Sequence, residues 1–183
     1  MKLFIAFFFT FFLAACGSGN DGPVFLDPKV VLSEGNQTVR LDRDTEYSID
    51  VPSSNNIVTI GAGNTVTYLI VTGSNNAFYV EERALVRKIQ LIGANNSVSL
   101  SNTVTVPSFE ITGANTKVSI SAGDKVDRIL MQGGNTTVNI LDLSAQVPLI
   151  DMTSSNNTIF MPFGFRIKTT ITDTGANNFV TER

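Results

Sequence analysis

Gly113-Ala114-Asn115-Thr116-Lys117-Val118-Ser119-Ile120 decides the fold, because versions of it occur eight times along the chain. Its asparagine recurs as Asn36, Asn55, Asn75, Asn95, Asn115, Asn135, Asn156 and Asn177, in steps of 19, 20, 20, 20, 20, 21 and 21 residues. The residue before each anchor is always small. Three residues beyond it stand Val39, Val58, Phe78, Val98, Val118, Val138, Ile159 and Val180. Five beyond it the column reads Leu41, Ile60, Val80, Leu100, Ile120, Ile140 and Met161, and six before it runs from Val30 to Ile171. A weaker column, eleven beyond, holds Tyr47, Val66, Val86, Val106, Val126 and Ile167.

Apolar and polar residues alternate within each copy, which is the pattern of a strand with one buried face. One copy buries too little apolar surface to offset the entropy of ordering its backbone, so copies must stack on one another. The expected fold is an all-β, right-handed parallel β-helix of about eight coils of ~20 residues with three short faces. An antiparallel sandwich or barrel is the rival, but it has no reason to hold one period so strictly. In the helix, the eight anchors would stack as an amide ladder at one corner. The second asparagine of the pair (Asn56, Asn76, Asn96, Asn157, Asn178) would take the left-handed backbone position.

Met1-Lys2 precedes the apolar run Leu3 to Leu13, followed by Leu13-Ala14-Ala15-Cys16. A charged tip, a short apolar core and small residues before a cut site describe a secretory leader, too short for a typical spanning helix. The last four residues resemble the bacterial lipobox. That resemblance implies cleavage before Cys16, acylation of Cys16 and anchoring to a membrane of the cell envelope. Gly17 stands where Asp would be an inner-membrane retention signal, so the outer membrane is favoured by analogy. The expected organisation is a signal peptide over 1–15, a flexible tether over 16–23 and a repeat domain over 24–183.

The chain has no His and no Trp, a single Cys and a formal charge of −3. That removes Ser-His-Asp and Cys-His catalysis and any intrachain disulfide, and it argues against a nucleic-acid partner. Nothing in the repeat matches the Asp-rich calcium nonapeptide, so neither a metal nor another cofactor is expected. The Gly-x-Asn-Asn-x-Val-x-Ile pattern over about residues 30–181 resembles the short Asn-rich β-helix repeats of bacterial proteins, many of them lipoproteins. The resemblance implies an architecture and no activity.

Chemistry would have to sit on outward columns. Glu110 and Asp151, with Lys88 and Arg128 beside them, form the charged cluster that the register creates. Two coils would separate the carboxylates by ~9.6 Å, at the upper edge of the spacing in inverting glycosidases. The alternative is solvated ion pairing, Lys88–Glu110 and Glu110–Arg128. Phe160, Phe163 and Phe165 near the C-terminal end would either cap the core or offer a contact patch. The expectation is therefore a non-enzymatic, lipid-anchored structural or binding module with a protein or glycan partner. A carbohydrate-binding or carbohydrate-cleaving protein is the first alternative, and a phage- or adhesin-type surface factor is the second.

Overall fold

The computed structural model describes residues 28–183; the leader, Cys16 and the tether lie outside the described residues. Alternation over short β-rich segments produces sixteen strands in two parallel sheets of eight. The first sheet stacks, in order, β1 (Lys29–Val31), β3 (Tyr47–Val51), β5 (Thr65–Val71), β7 (Leu85–Leu91), β9 (Thr105–Ile111), β11 (Lys125–Met131), β13 (Leu149–Met152) and β15 (Thr170–Asp173). The second stacks β2 (Thr38–Leu41), β4 (Ile57–Ile60), β6 (Ala77–Val80), β8 (Ser97–Leu100), β10 (Lys117–Ile120), β12 (Thr137–Ile140), β14 (Thr158–Met161) and β16 (Phe179–Glu182). Every pairing joins equivalent positions of successive copies, as in Val58–Phe78–Val98–Val118–Val138–Ile159–Val180. The chain is a β-solenoid of about eight turns, and its core is the interior file of these columns.

Three faces were expected and two sheets are found. In β5, the buried residues Val66 and Leu69 are three apart, so alternation breaks and the strand bends there while its pairing continues on both sides. Two of the expected faces are thus the arms of one bent sheet. The first coil lacks the bend residue: Tyr47, Ile49 and Val51 alternate without interruption, and the register with β5 slips between Tyr47 and Ile49. This accounts for the 19-residue step.

The two asparagines exchange their expected roles. All eight anchors, Asn36, Asn55, Asn75, Asn95, Asn115, Asn135, Asn156 and Asn177, sit in the left-handed region with φ between 55° and 62°. Asparagine tolerates this region better than other side chains, and here it turns the chain out of one sheet toward the other. Among anchor side chains one direct link is made, from Asn95 Nδ2 to Asn75 Oδ1 at 3.1 Å. The second asparagines point inward and build the ladder. The backbone N–H of Asn56 donates to Asn76 Oδ1 (2.8 Å), that of Asn76 to Asn96 Oδ1 (2.9 Å) and that of Asn157 to Asn178 Oδ1 (2.8 Å). Asn96 Nδ2 donates in turn to the carbonyls of Gly73 and Gly93. The reason is directional: a left-handed residue points its side chain out of the corner, and the following residue then points in, where buried amides need partners. Where the second residue is threonine, the ladder has a gap. Thr116 and Thr136 donate to the carbonyls of Gly113 and Gly133 in their own coils, at 3.4 Å.

Two residues before the anchor lies a column the alternation did not expose: Gly73, Gly93, Gly113 and Gly133. A Cβ on any of these glycines would overlap the backbone carbonyl of the equivalent residue one coil earlier. Close approach of stacked backbones, rather than a special φ, fixes glycine here. At the opposite corner two inward polar residues do the work of the ladder. Asn64 Oδ1 accepts from the Arg43 N–H (2.9 Å) and the Tyr47 hydroxyl (3.0 Å). Asp124, fully buried, accepts from the N–H groups of Val104 (2.8 Å) and Ser121 (2.6 Å).

Ile167, expected in the apolar column, is 88% exposed. A 3₁₀ turn, Phe165–Lys168, replaces the ordinary corner of the seventh coil and places Phe165 in the interior instead.

Candidate functional site

The bent sheet carries the charged row. Glu110 pairs across the ladder with Gln90 on one side and Leu130 on the other, and Leu130 pairs in turn with Asp151. The two carboxylates therefore sit in one outward column, two coils and ~9.6 Å apart by strand spacing. Neither is left open. Glu110 Oε1 lies 2.8 Å from Lys88 Nζ, and its Oε2 accepts from Gln90 Nε2 at 2.7 Å. The Lys88 ammonium first, and the Gln90 amide second, hold the Glu110 carboxyl below the usual carboxylate range. Arg128 binds Asp151, Nη2 to Oδ2 at 2.7 Å and Nε to Oδ2 at 2.8 Å, while its charge still acts on Glu110. The expected Glu110–Arg128 pair is thus replaced by a direct contact with Asp151 on the adjacent coil, where two guanidinium nitrogens meet one carboxylate oxygen.

A pair of carboxylates doing glycoside hydrolysis needs one of them protonated near neutrality. The arrangement around Glu110 works in the opposite sense. Leu130 also fills the position between the two carboxylates, where a water or a scissile bond would have to lie. What the row can do chemically is pair charge along the stack. The same device ties coils two apart, through Arg40 to Glu81 (2.5 and 2.8 Å) and Arg87 to Glu46 (2.7 Å).

The second sheet presents a different surface. Its central outward column reads Tyr79, Ser99, Ser119, Asn139 and Phe160 in paired register. Ser99 and Ser119 of this column line a groove of about 710 Å³ that reaches the corner at Glu81, Glu82, Asn102 and Leu141. Tyr79, next to Ser99 in the column, has half its surface open. Farther along the column Arg183 lies over the Phe160 ring, 4.3 Å from its centroid, and donates to Asn139 Oδ1 at 3.3 Å. Sequence reasoning missed this groove. The signal was available as successive Ser residues, Ser99 and Ser119, in one outward column.

The three phenylalanines expected as a cap or patch do not lie together on the surface. Phe160 is half-buried beneath Arg183, Phe163 is 80% exposed and Phe165 is fully buried. The turn around Gly164, at φ 82°, sends successive odd-numbered side chains out, in and out. Capping of the core accounts for Phe165 alone.

No family model, curated protein or solved structure matches this chain. Among the described residues no group of three or more His, Cys, Asp or Glu gathers where a metal could be held. No helix among them is long and apolar enough to cross a membrane.

Proposed function

We propose that the chain is a lipid-anchored protein of the bacterial envelope, held at the outer membrane through acylated Cys16, whose solenoid serves as a non-catalytic structural or binding module. The observation that carries the reading is the pairing of Glu110 with Lys88 and Gln90 and of Asp151 with Arg128. Charges tied to neighbours in the next coil stiffen a stack, and the Lys88 and Gln90 contacts hold the Glu110 carboxyl below the usual carboxylate range. Two measurements test the reading. Incubation of the protein with envelope and extracellular polysaccharides should release no new reducing ends or unsaturated products. Labelled palmitate should enter the wild-type chain and be absent from Cys16→Ser. Product that disappears in Glu110→Gln would refute the non-catalytic part, and an unlabelled wild type would refute the anchor.

A second reading, carbohydrate recognition without cleavage, draws on the groove lined by Ser99, Ser119 and Glu81, with Tyr79 half-open in the same outward column. An aromatic face beside several hydroxyls suits a sugar ring, which stacks on one and hydrogen-bonds to the other. Retention of the chain on an immobilised glycan, lost in Tyr79→Ala, would favour it.

A further inference from the structure

The corner at Phe163–Lys168 departs most from the repeat. Phe163 and Ile167, 80% and 88% exposed, are the most open large apolar side chains among the described residues. Arg166 and Lys168 flank Ile167 along the turn, and both are exposed. Lys168 Nζ donates to the Leu143 carbonyl at 3.1 Å, fixing the turn against the preceding corner, where Leu143 is itself 45% exposed. The nearby carboxylates are engaged: Asp142 accepts from the Ser144 N–H and hydroxyl, and Glu182 from the Arg166 N–H. The result is a projecting apolar crest bracketed by cations. The same corner of the first and third coils is charged instead, as Asp42-Arg43-Asp44 and Glu81-Glu82-Arg83.

We propose that this crest is a membrane contact, with Phe163 and Ile167 entering the headgroup–acyl boundary and Arg166 and Lys168 meeting anionic lipid phosphates. Three observations select lipid over a protein. The alternation of apolar and basic residues fits the bilayer interface, where apolar groups enter and cations stay at the phosphates. A few projecting side chains fall well short of the ~800 Å² per partner that a stable protein interface buries. The 11 residues between Cys16 and Pro28 span at most ~40 Å when extended. The crest lies roughly 30 Å along the stack from the first coil, so anchor and crest can meet one bilayer when the rod lies along it. The inference rests on the lipid-anchor reading for this last point only.

The chain has no Trp, so Phe163→Trp installs a single local reporter. The full chain carrying it is reconstituted in vesicles of phosphatidylethanolamine with phosphatidylglycerol, and in neutral phosphatidylcholine vesicles. The expected result is a blue-shifted emission, quenched by brominated lipid, in the anionic vesicles only. Adding Arg166→Glu with Lys168→Glu should return it to the wavelength of a water-exposed indole. A Tyr68→Trp reporter on the sheet face should stay water-like throughout. Water-like emission from the Phe163→Trp chain in anionic vesicles would overturn the proposal. So would a shift that follows protein concentration without lipid, which would mean a second copy covers the crest. Palmitate label at Cys16 with a silent crest reporter sinks this inference alone; a shifted crest reporter without label sinks the anchor alone.

Discussion

Replacing Asn96 and Asn95 separately, each by Ala and by Gly, distinguishes the two jobs at the asparagine corner. Asn96 is 1% exposed and makes three hydrogen bonds, from Asn76 N–H and to the Gly73 and Gly93 carbonyls. Asn96→Ala leaves one buried N–H without a partner, about 1–3 kcal/mol, and weakens two carbonyls by about 0.5–1.5 kcal/mol each. The expected loss is about 4 kcal/mol. Asn95 holds φ 57° and one exposed side-chain bond to Asn75. Asn95→Ala should cost about 1–2 kcal/mol, the penalty of a Cβ in the left-handed region. Glycine decides the matter. At 95 it removes the steric penalty and should be nearly neutral, whereas at 96 it should be at least as harmful as Ala. Urea denaturation followed by circular dichroism, compared through the midpoints at constant slope, reads all four variants. A larger loss at 95 than at 96, or rescue of 96 by glycine, would refute the assignment.

Three further predictions concern the same stack. Thr116→Asn with Thr136→Asn should close the gap in the ladder and raise stability by about 1 kcal/mol per new bond, read as a higher urea midpoint. Gly113→Ala should push the coils apart at the Gly93 carbonyl and lose cooperative melting, while Gly63→Ala, at φ 70° with open space around its Cβ position, should cost only about 1–2 kcal/mol. Burial raises the Asp124 carboxyl to about 6, above its usual 3.8. The folded state therefore binds this proton more tightly than the unfolded one, and its contribution to stability is present below pH ~4 and lost as pH rises through ~6. The difference is up to about 3 kcal/mol, and Asp124→Asn should remove that part of the melting-temperature profile between pH ~4 and ~7.

The solenoid was legible because its physics is a matter of period: inward columns such as Val58 to Val180 can be aligned without knowing where the chain turns. The bend in the first sheet left a trace as well, in the odd separation of Val66 and Leu69, which no straight strand can bury together. The asparagine roles were not legible. Asn95 and Asn96 are the same residue type, and only backbone φ decides which of them faces the interior. The charged cluster was located correctly as a column, but Arg128 had two carboxylates within reach, and the direction it takes depends on side-chain geometry that spacing does not encode. Phe163 and Phe165 posed the same difficulty, since Gly164 determines which of them turns inward.

The glycine column has an implication for how such a chain can change length. Wherever backbones touch at Gly93 and Gly113, an added or deleted residue would shear every bond above it, so that edge works as a fixed spine. The extra residue of the sixth coil falls instead within 141–146, and that of the seventh coil within 162–169. Novelty can accumulate at this outer bend, one coil at a time, without disturbing the neighbours. Grafting a foreign peptide between Ala122 and Gly123 would exploit the same freedom.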